Sequence, residues 1–250
     1  ARIYRADVGD AEYIKATSLD FCKKQKLKAA MLRSVKLLEK SSFDEISQEI
    51  NEALKLGSDS NHGHDYIKDF EQRFLLKTRN PIATGWDEID KITHQGLGNG
   101  ELGVVIAPTG AGKSMALVHI GAQALMDGKN VLYYTLELSD TVVGSRFDSC
   151  ITKVPLNDLR SFKEEIYEKV QEIEGNLIVK EYPTKSSSVA TLKNHLEKVI
   201  TRGFKPDIIL VDYADLLRPV STLREKRHEL ETIYEQLRGL AQEYKCCVWT

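Results

Sequence analysis

The chain has 250 residues, 42% of them hydrophobic, with 35 Lys plus Arg against 37 Asp plus Glu and a formal net charge of −2. That balance excludes a strongly basic protein that coats nucleic acid. Any contact with DNA or RNA is left to a few placed cations or to symmetry in an oligomer. The four cysteines, Cys22, Cys150, Cys246 and Cys247, form no C-x-x-C pair, and adjacent cysteines make poor disulfide partners, so a reducing cytoplasm is expected. No apolar run approaches the roughly 18 residues a membrane span needs, and no signal peptide is read.

Taken in chain order, Ala1 to Arg5 read as a passage already under way, and a fragment of a longer protein is expected. Residues 11–40 predict a helix pair or one long helix, with Leu27, Met31, Val35 and Leu38 at helical spacing and Lys23, Lys24, Lys26 and Lys28 on the solvent side. Ser42 and Glu45 make the S-x-x-E capping-box spacing for a second helix carrying Ile46, Ile50, Ala53 and Leu54, which Gly57 stops. These elements make a helical N-terminal segment, 1–56. The polar run from Gly57 to His64 reads as a linker. Asp59, His62 and His64 in it lack the fixed geometry a metal site requires. Ile67, Phe70 and Phe74 then mark one face of a short amphipathic helix ending near Lys77, within a linker region 57–80. That face must be buried, in its own domain or on a neighbouring subunit.

From about Pro81 the texture changes. Apolar runs at 101–106, 131–136, 177–180, 207–212 and 246–249 alternate with helical patterns at 113–127, 140–151, 158–174, 188–202 and 225–244. Strands alternating with helices predict an α/β domain over 81–250: a mostly parallel sheet covered on both faces.

The chemistry concentrates in Ala107-Pro-Thr-Gly-Ala-Gly-Lys-Ser114, which follows an apolar strand and opens an apolar helix. This is the context of a phosphate-binding loop. Small residues at Thr109, Gly110, Ala111 and Gly112 let backbone N–H groups point inward, and the helix N-terminus adds partial positive charge. Lys113 is the candidate for the β- and γ-phosphates, and the Ser114 hydroxyl for Mg²⁺. Ala107 stands where the G-x-x-x-x-G-K-[ST] pattern has its first glycine, whereas Gly112, Lys113 and Ser114 carry the contacts. The alternative is an ordinary strand–turn–helix corner.

Two carboxylates give the loop its partners. Ile208-Ile-Leu-Val-Asp212 is a buried-strand pattern ending in an aspartate, placed to hold Mg²⁺ opposite Ser114. Glu137 closes the strand pattern from Val131 and is the candidate to orient or deprotonate the attacking water; otherwise it caps the next helix.

Together these residues resemble the DnaB-type replicative helicases, particularly those of tailed phages. Ile82–Asp90 resembles the family's segment leading into the motor domain, and Gly96–Leu102 its turn into the first core strand. The loop 107–114 matches the family's loop, which commonly begins with Ala. Thr135–Ser139 is similar to the strand carrying the family's catalytic glutamate, and Val211–Leu216 to its Walker B segment. The resemblance implies a RecA-like P-loop NTPase core that uses ATP and Mg²⁺. It further implies a homo-hexameric ring hydrolysing ATP between subunits and pulling single-stranded DNA, with a primase or loader as possible partners. It also implies that the helix at 65–77 docks on an adjacent subunit, and that the sensor, the arginine finger and most DNA-binding loops lie beyond Thr250. An isolated fragment would then bind nucleotide and hydrolyse it weakly. Arg218, Arg224, Lys226 and Arg227 either face a DNA channel or pair with Glu225 and Glu229 in a solvated loop. Arg146 assists nucleotide binding or an interface, or makes a surface salt bridge. A recombinase, a signalling ATPase and a nucleotide-gated assembly module remain as alternatives.

Overall fold

The computed structural model describes residues 22, 24–35, 37–38, 43–54, 65–68, 70–75, 79–108, 110–219 and 226–250. Expectations for Asp59, His62 and His64, for the Ser42 cap and for Thr109, Arg224 and Glu225 lie outside the described residues. The chain divides into two units, Ala1–Leu76 and Lys77–Thr250.

In the first unit, helix α1 (24–35) and helix α2 (Phe43–Leu54) are tied by Arg33 and Glu49 at 3.0 Å. The face expected to be buried is mostly not: Met31 and Val35 on α1, and Leu38 beyond it, are more than half exposed and Leu27 is half-buried, while Ala30 and Ser34, one step round the helix, are buried. Helical spacing identifies a face without naming its partner. Helix α3 (Phe70–Leu75) is shorter than the expected span, because Asp65 accepts from the N–H groups of Ile67 and Lys68 and turns residues 65–68 into a local loop. The rings of Phe70 and Phe74 meet at 5.1 Å with their planes tilted by 52° and remain at least half exposed.

The second unit carries the sheet. In chain order it comprises α4 (Asp87–Ile92), β1 (Leu102–Gly103), α5 (Lys113–Met126), β2 (Val131–Thr135), α6 (Asp140–Thr152), α7 (Lys163–Gln171), β3 (Leu177–Glu181), α8 (Val189–Thr201), β4 (Ile208–Asp212), a 3₁₀ turn at Ala214–Leu216, α9 (Lys226–Tyr244) and β5 (Cys247–Trp249). The strands are parallel and run in the order β1-β5-β4-β2-β3, as the alternating pattern predicts. Every residue of β2 and β4 is buried, as expected of strands covered on both faces. Because side chains alternate, Leu132, Tyr134, Ile209 and Val211 pack toward α8 and α9. Val131, Tyr133, Ile208 and Leu210 pack toward α5 and α6.

Two elements are shorter than their apolar patterns. β1 ends at Gly103 rather than 106. It pairs only with β5, and past Gly103 a single bond, Val105 N–H to Thr250 O at 2.7 Å, continues the contact, leaving Ile106 90% exposed. Residues 158–162 do not join α7. They form turns closed by Asp158 N–H to Pro155 O and Ser161 N–H to Asp158 O, both 2.9 Å, so the regular helix starts at Lys163. By contrast α8 begins with a capping box between Ser188 and Thr191.

The approach to β1 is pinned by two charged side chains. Asp90 accepts from Thr84 N–H and Oγ at 2.8 Å and from Gly85 N–H at 3.1 Å. Arg79 forks onto both oxygens of Glu101 at 2.9 and 3.0 Å and also donates to the carbonyls of His94 and Gly96. The Arg79 guanidinium holds the Glu101 carboxyl below the usual carboxylate range.

Candidate functional site

The loop 107–114 leaves the β1 edge and enters α5 at the C-terminal end of the parallel strands, where open α/β sheets bind ligands. Gly110 and Gly112 take the left-handed backbone, with φ of 79° and 99°, a conformation L side chains avoid. A Cβ at either position would meet nothing within 4 Å, so their faces border open space rather than packed protein. Gly112 is also the N-cap of α5 and offers no side-chain acceptor to the first turn. The orphan N–H groups of that turn therefore remain available to an anion.

Lys113 Nζ donates to the carbonyls of Ala107 at 2.9 Å and Pro108 at 3.3 Å, and lies 5.5 Å from the centre of the Tyr213 ring. No carboxylate among the described residues pairs with it. The ammonium thus sits in the loop with only neutral partners, a donor set that fits a polyphosphate.

Ser114, the next residue, donates its hydroxyl to Oδ1 of Asp212 at 3.0 Å. The two are 98 positions apart; α5 supplies the first and the tip of β4 the second. Asp212 is fully buried, and its other oxygen, Oδ2, accepts the phenol O–H of Tyr133 at 2.8 Å. Burial first, and then the Asp212 carboxylate, push the Tyr133 phenol far above its ordinary range, so it stays a donor. No three His, Cys, Asp or Glu side chains cluster for a metal among the described residues. One buried carboxylate beside one hydroxyl instead suits a hard cation that takes its remaining ligands from phosphate and water.

Glu137 stands exposed just past β2 and is hydrogen-bonded to neither Ser114 nor Asp212. Its nearness registers at Tyr213, whose phenol is raised by burial first and then by the Glu137 charge. Arg146, on α6, is half-buried and has no carboxylate partner among the described residues; its charge acts on Tyr133 in the site. Arg218, Lys226 and Arg227 are exposed. The sequence reading missed Tyr133 and Tyr213. For Tyr133 a signal was present, since a tyrosine inside a strand buried on both faces must find a partner for its hydroxyl.

Comparison with known proteins places this chain in a family. The family described as DnaB-like helicase C terminal domain matches residues 81–250. A DnaB-like replicative helicase of Enterobacteria phage T4 is 31% identical over 215 residues, covering 80% of this chain and 45% of the relative. The replicative DNA helicase DnaB of Helicobacter pylori is 24% identical, covering 97% of this chain and 49% of its own length. The chain therefore spans about half the length of these relatives. Among solved structures, a DnaB-like replicative helicase studied with its interactions with primase superimposes with a TM-score of 0.68 at 14% identity, covering 98% of this chain and 60% of the other. A solved ATPase domain gives 0.57 at 16% identity, over 72% of this chain and 66% of its own. These two likenesses establish the RecA-like fold, and the match over residues 81–250 establishes that the chain belongs to the DnaB-like helicase C-terminal domain family.

Proposed function

We propose that this chain is the ATP-hydrolysing motor of a hexameric replicative DNA helicase that translocates on single-stranded DNA. The observation that carries the site assignment is the Ser114–Asp212 hydrogen bond, which joins the end of the phosphate-loop pattern to the tip of a central strand. In this reading the N–H groups of Gly110 to Lys113 cradle the phosphates beside Ala107 and Pro108, that of Ala111 leaving the Pro108 carbonyl to which it donates at 3.2 Å. Lys113 neutralises charge on the β- and γ-phosphates. Ser114 and Asp212 would hold Mg²⁺, which would supply charge neutralisation during phosphoryl transfer. Glu137 orients the attacking water and accepts its proton as the γ-phosphoryl bond to the leaving oxygen breaks.

Hydrolysis between subunits of a ring, and a primase or loader as partner, complete the proposal. They draw on the family and on the relative described with primase. No helix among the described residues is long and apolar enough to cross a membrane. The phage and bacterial relatives support a replication protein of a bacterial or phage-infected cytoplasm. Arg218, Lys226 and Arg227 are exposed and offer salt-sensitive phosphate contacts to DNA.

The test is ATP hydrolysis by the full-length protein with and without single-stranded DNA. Turnover should rise with DNA, and Lys113→Ala should lower it by about 10²-fold or more. Turnover indifferent to DNA would remove the helicase reading and leave a signalling or assembly ATPase. Activity unchanged in Lys113→Ala would remove the site assignment itself.

A further inference from the structure

We propose that Tyr133 is a positioning residue for the metal site: its phenol holds Oδ2 of Asp212 and so turns Oδ1 toward Ser114 and the phosphate loop. The inference rests on the reading of Ser114 and Asp212 as the metal-holding pair, and goes beyond it by naming what fixes the carboxylate.

Sheet geometry supplies the contact. β2 and β4 pair in parallel with Tyr133 opposite Leu210 and Thr135 opposite Asp212. Side chains two apart share a face, so Tyr133 and Asp212 are diagonal neighbours on the face that α5 covers, and only a long side chain spans that diagonal. A phenol reaches it at 2.8 Å; an aliphatic side chain or a phenylalanine at 133 would bring no hydrogen to Oδ2.

The carboxylate is thereby bound at both oxygens, by two hydroxyls of different standing. Ser114 is half-buried in the first turn of α5, just after the glycines that face open space. Tyr133 is fully buried, and its ring is held edge-on by Phe147 of α6, with centroids 5.8 Å apart and planes at 87°. Tyr133 therefore has no route out of its bond, whereas the serine hydroxyl is free to turn toward a ligand. The backbone of Asp212 is fixed as well, since its carbonyl accepts from Leu136 N–H at 2.9 Å. Rotation of the carboxyl about its own bond is the remaining freedom, and the phenol is what restricts it. Groups that orient a metal-holding carboxylate typically matter by about 10–100-fold in metal affinity.

The experiment is a titration of Mg²⁺ against the affinity of a fluorescent ADP analogue for the full-length protein, with Mn²⁺ binding to the nucleotide complex followed in parallel by electron paramagnetic resonance. Tyr133→Phe should raise the half-saturating Mg²⁺ and Mn²⁺ concentrations by about 10-fold. Affinity for the analogue in EDTA should stay at the parental value. Phe147→Leu is the packing control: it loosens the ring without removing the hydroxyl, and should lower the melting temperature while shifting the metal requirement by less than Tyr133→Phe does. A parental metal requirement in Tyr133→Phe overturns the proposal, and so does an equal shift in both variants, which would make the effect one of packing. Asp212→Asn separates the two levels. If it abolishes metal-dependent tightening while Tyr133→Phe behaves as the parent, only the role of Tyr133 falls. If it leaves tightening intact, the reading of the metal pair falls with it.

Discussion

At the scale of single residues, the candidate site divides into groups that are in contact and one that is not. Ser114, Asp212 and Tyr133 form a hydrogen-bonded set through the Asp212 carboxylate, and Lys113, next to Ser114 in the chain, is held by the carbonyls of Ala107 and Pro108. Glu137 stands apart, exposed on the turn after β2. A group that acts on water rather than on the bound phosphates belongs at such a distance, because the water and the γ-phosphate must fit between. Glu137→Gln should accordingly leave the affinity for ATP and for ADP near parental and lower the turnover number by about 10²- to 10⁴-fold. Single-turnover hydrolysis alongside equilibrium nucleotide binding checks this. A loss of binding equal to the loss of rate would make Glu137 a structural residue at the end of β2.

The same residues show what a sequence exposes and what it hides. Lys113 and Ser114 are legible because a glycine-bearing loop between an apolar strand and an apolar helix is a local signal. Asp212 is legible because four apolar residues ending in a carboxylate is another. That the latter two meet at 3.0 Å is a property of strand order, since β4 must lie close to the loop's own helix in the sheet. Tyr133 escaped notice because its role depends on a diagonal across two strands, and register is not written in either strand alone.

At the scale of elements, the placement of the site depends on how closely α5 lies on the sheet. Gly121 is buried on α5, and a Cβ there would come within 2.7 Å of Leu210 on β4 and 2.8 Å of the Phe147 ring on α6. Both neighbours are buried, so neither side chain can move into solvent. Gly121→Ala gains about 0.8–1 kcal/mol of helix propensity and loses about 1–3 kcal/mol to overpacking. The second effect is the larger, and Gly121→Val adds volume without the propensity gain. Gly239 on α9 is the complementary case: it is exposed, and a Cβ there meets nothing within 4 Å. Gly239→Ala should raise stability by up to about 1 kcal/mol. Denaturant unfolding of the variants should therefore move the midpoint down for Gly121→Ala, further down for Gly121→Val, and up for Gly239→Ala. A stabilised Gly121→Ala would mean that α5 can lift from the sheet without penalty. Element boundaries were the least legible feature: residues 158–162 carry a helical pattern but close into turns behind Pro155, and the apolar run at 104–106 has too few neighbours to continue β1.

At the scale of the whole molecule, the two faces of the sheet share one titration behaviour. Tyr133 faces α5 and α6, while Tyr134 faces α8 and donates to the Leu192 carbonyl at 3.1 Å. Burial pushes both phenols far above the ordinary tyrosine range. Tyr234 is pushed up to about 12, by burial first and then by its bond to Asp215, and burial raises the Cys246 thiol to about 12. In the unfolded chain thiols lose their protons near pH 8.5 and phenols near pH 10. Between those values and about 12 the folded protein therefore binds more protons than the unfolded one, and stability must fall as pH rises through that window. At neutral pH both states keep these protons, and the groups exert no pull. Tyr134→Phe separates the two regimes. At pH 7 it should cost about 1 kcal/mol for the lost hydrogen bond. Above pH 10 it removes one proton from the difference between the states, so stability should fall less steeply, by about 1.4 kcal/mol for each pH unit. The check is a series of urea unfolding curves from pH 7 to 11 for parent and variant, with tyrosinate absorbance recorded alongside circular dichroism. Parallel pH profiles would mean that Tyr134 ionises in the folded protein, which a hydroxyl sealed between a central strand and α8 has no water to do.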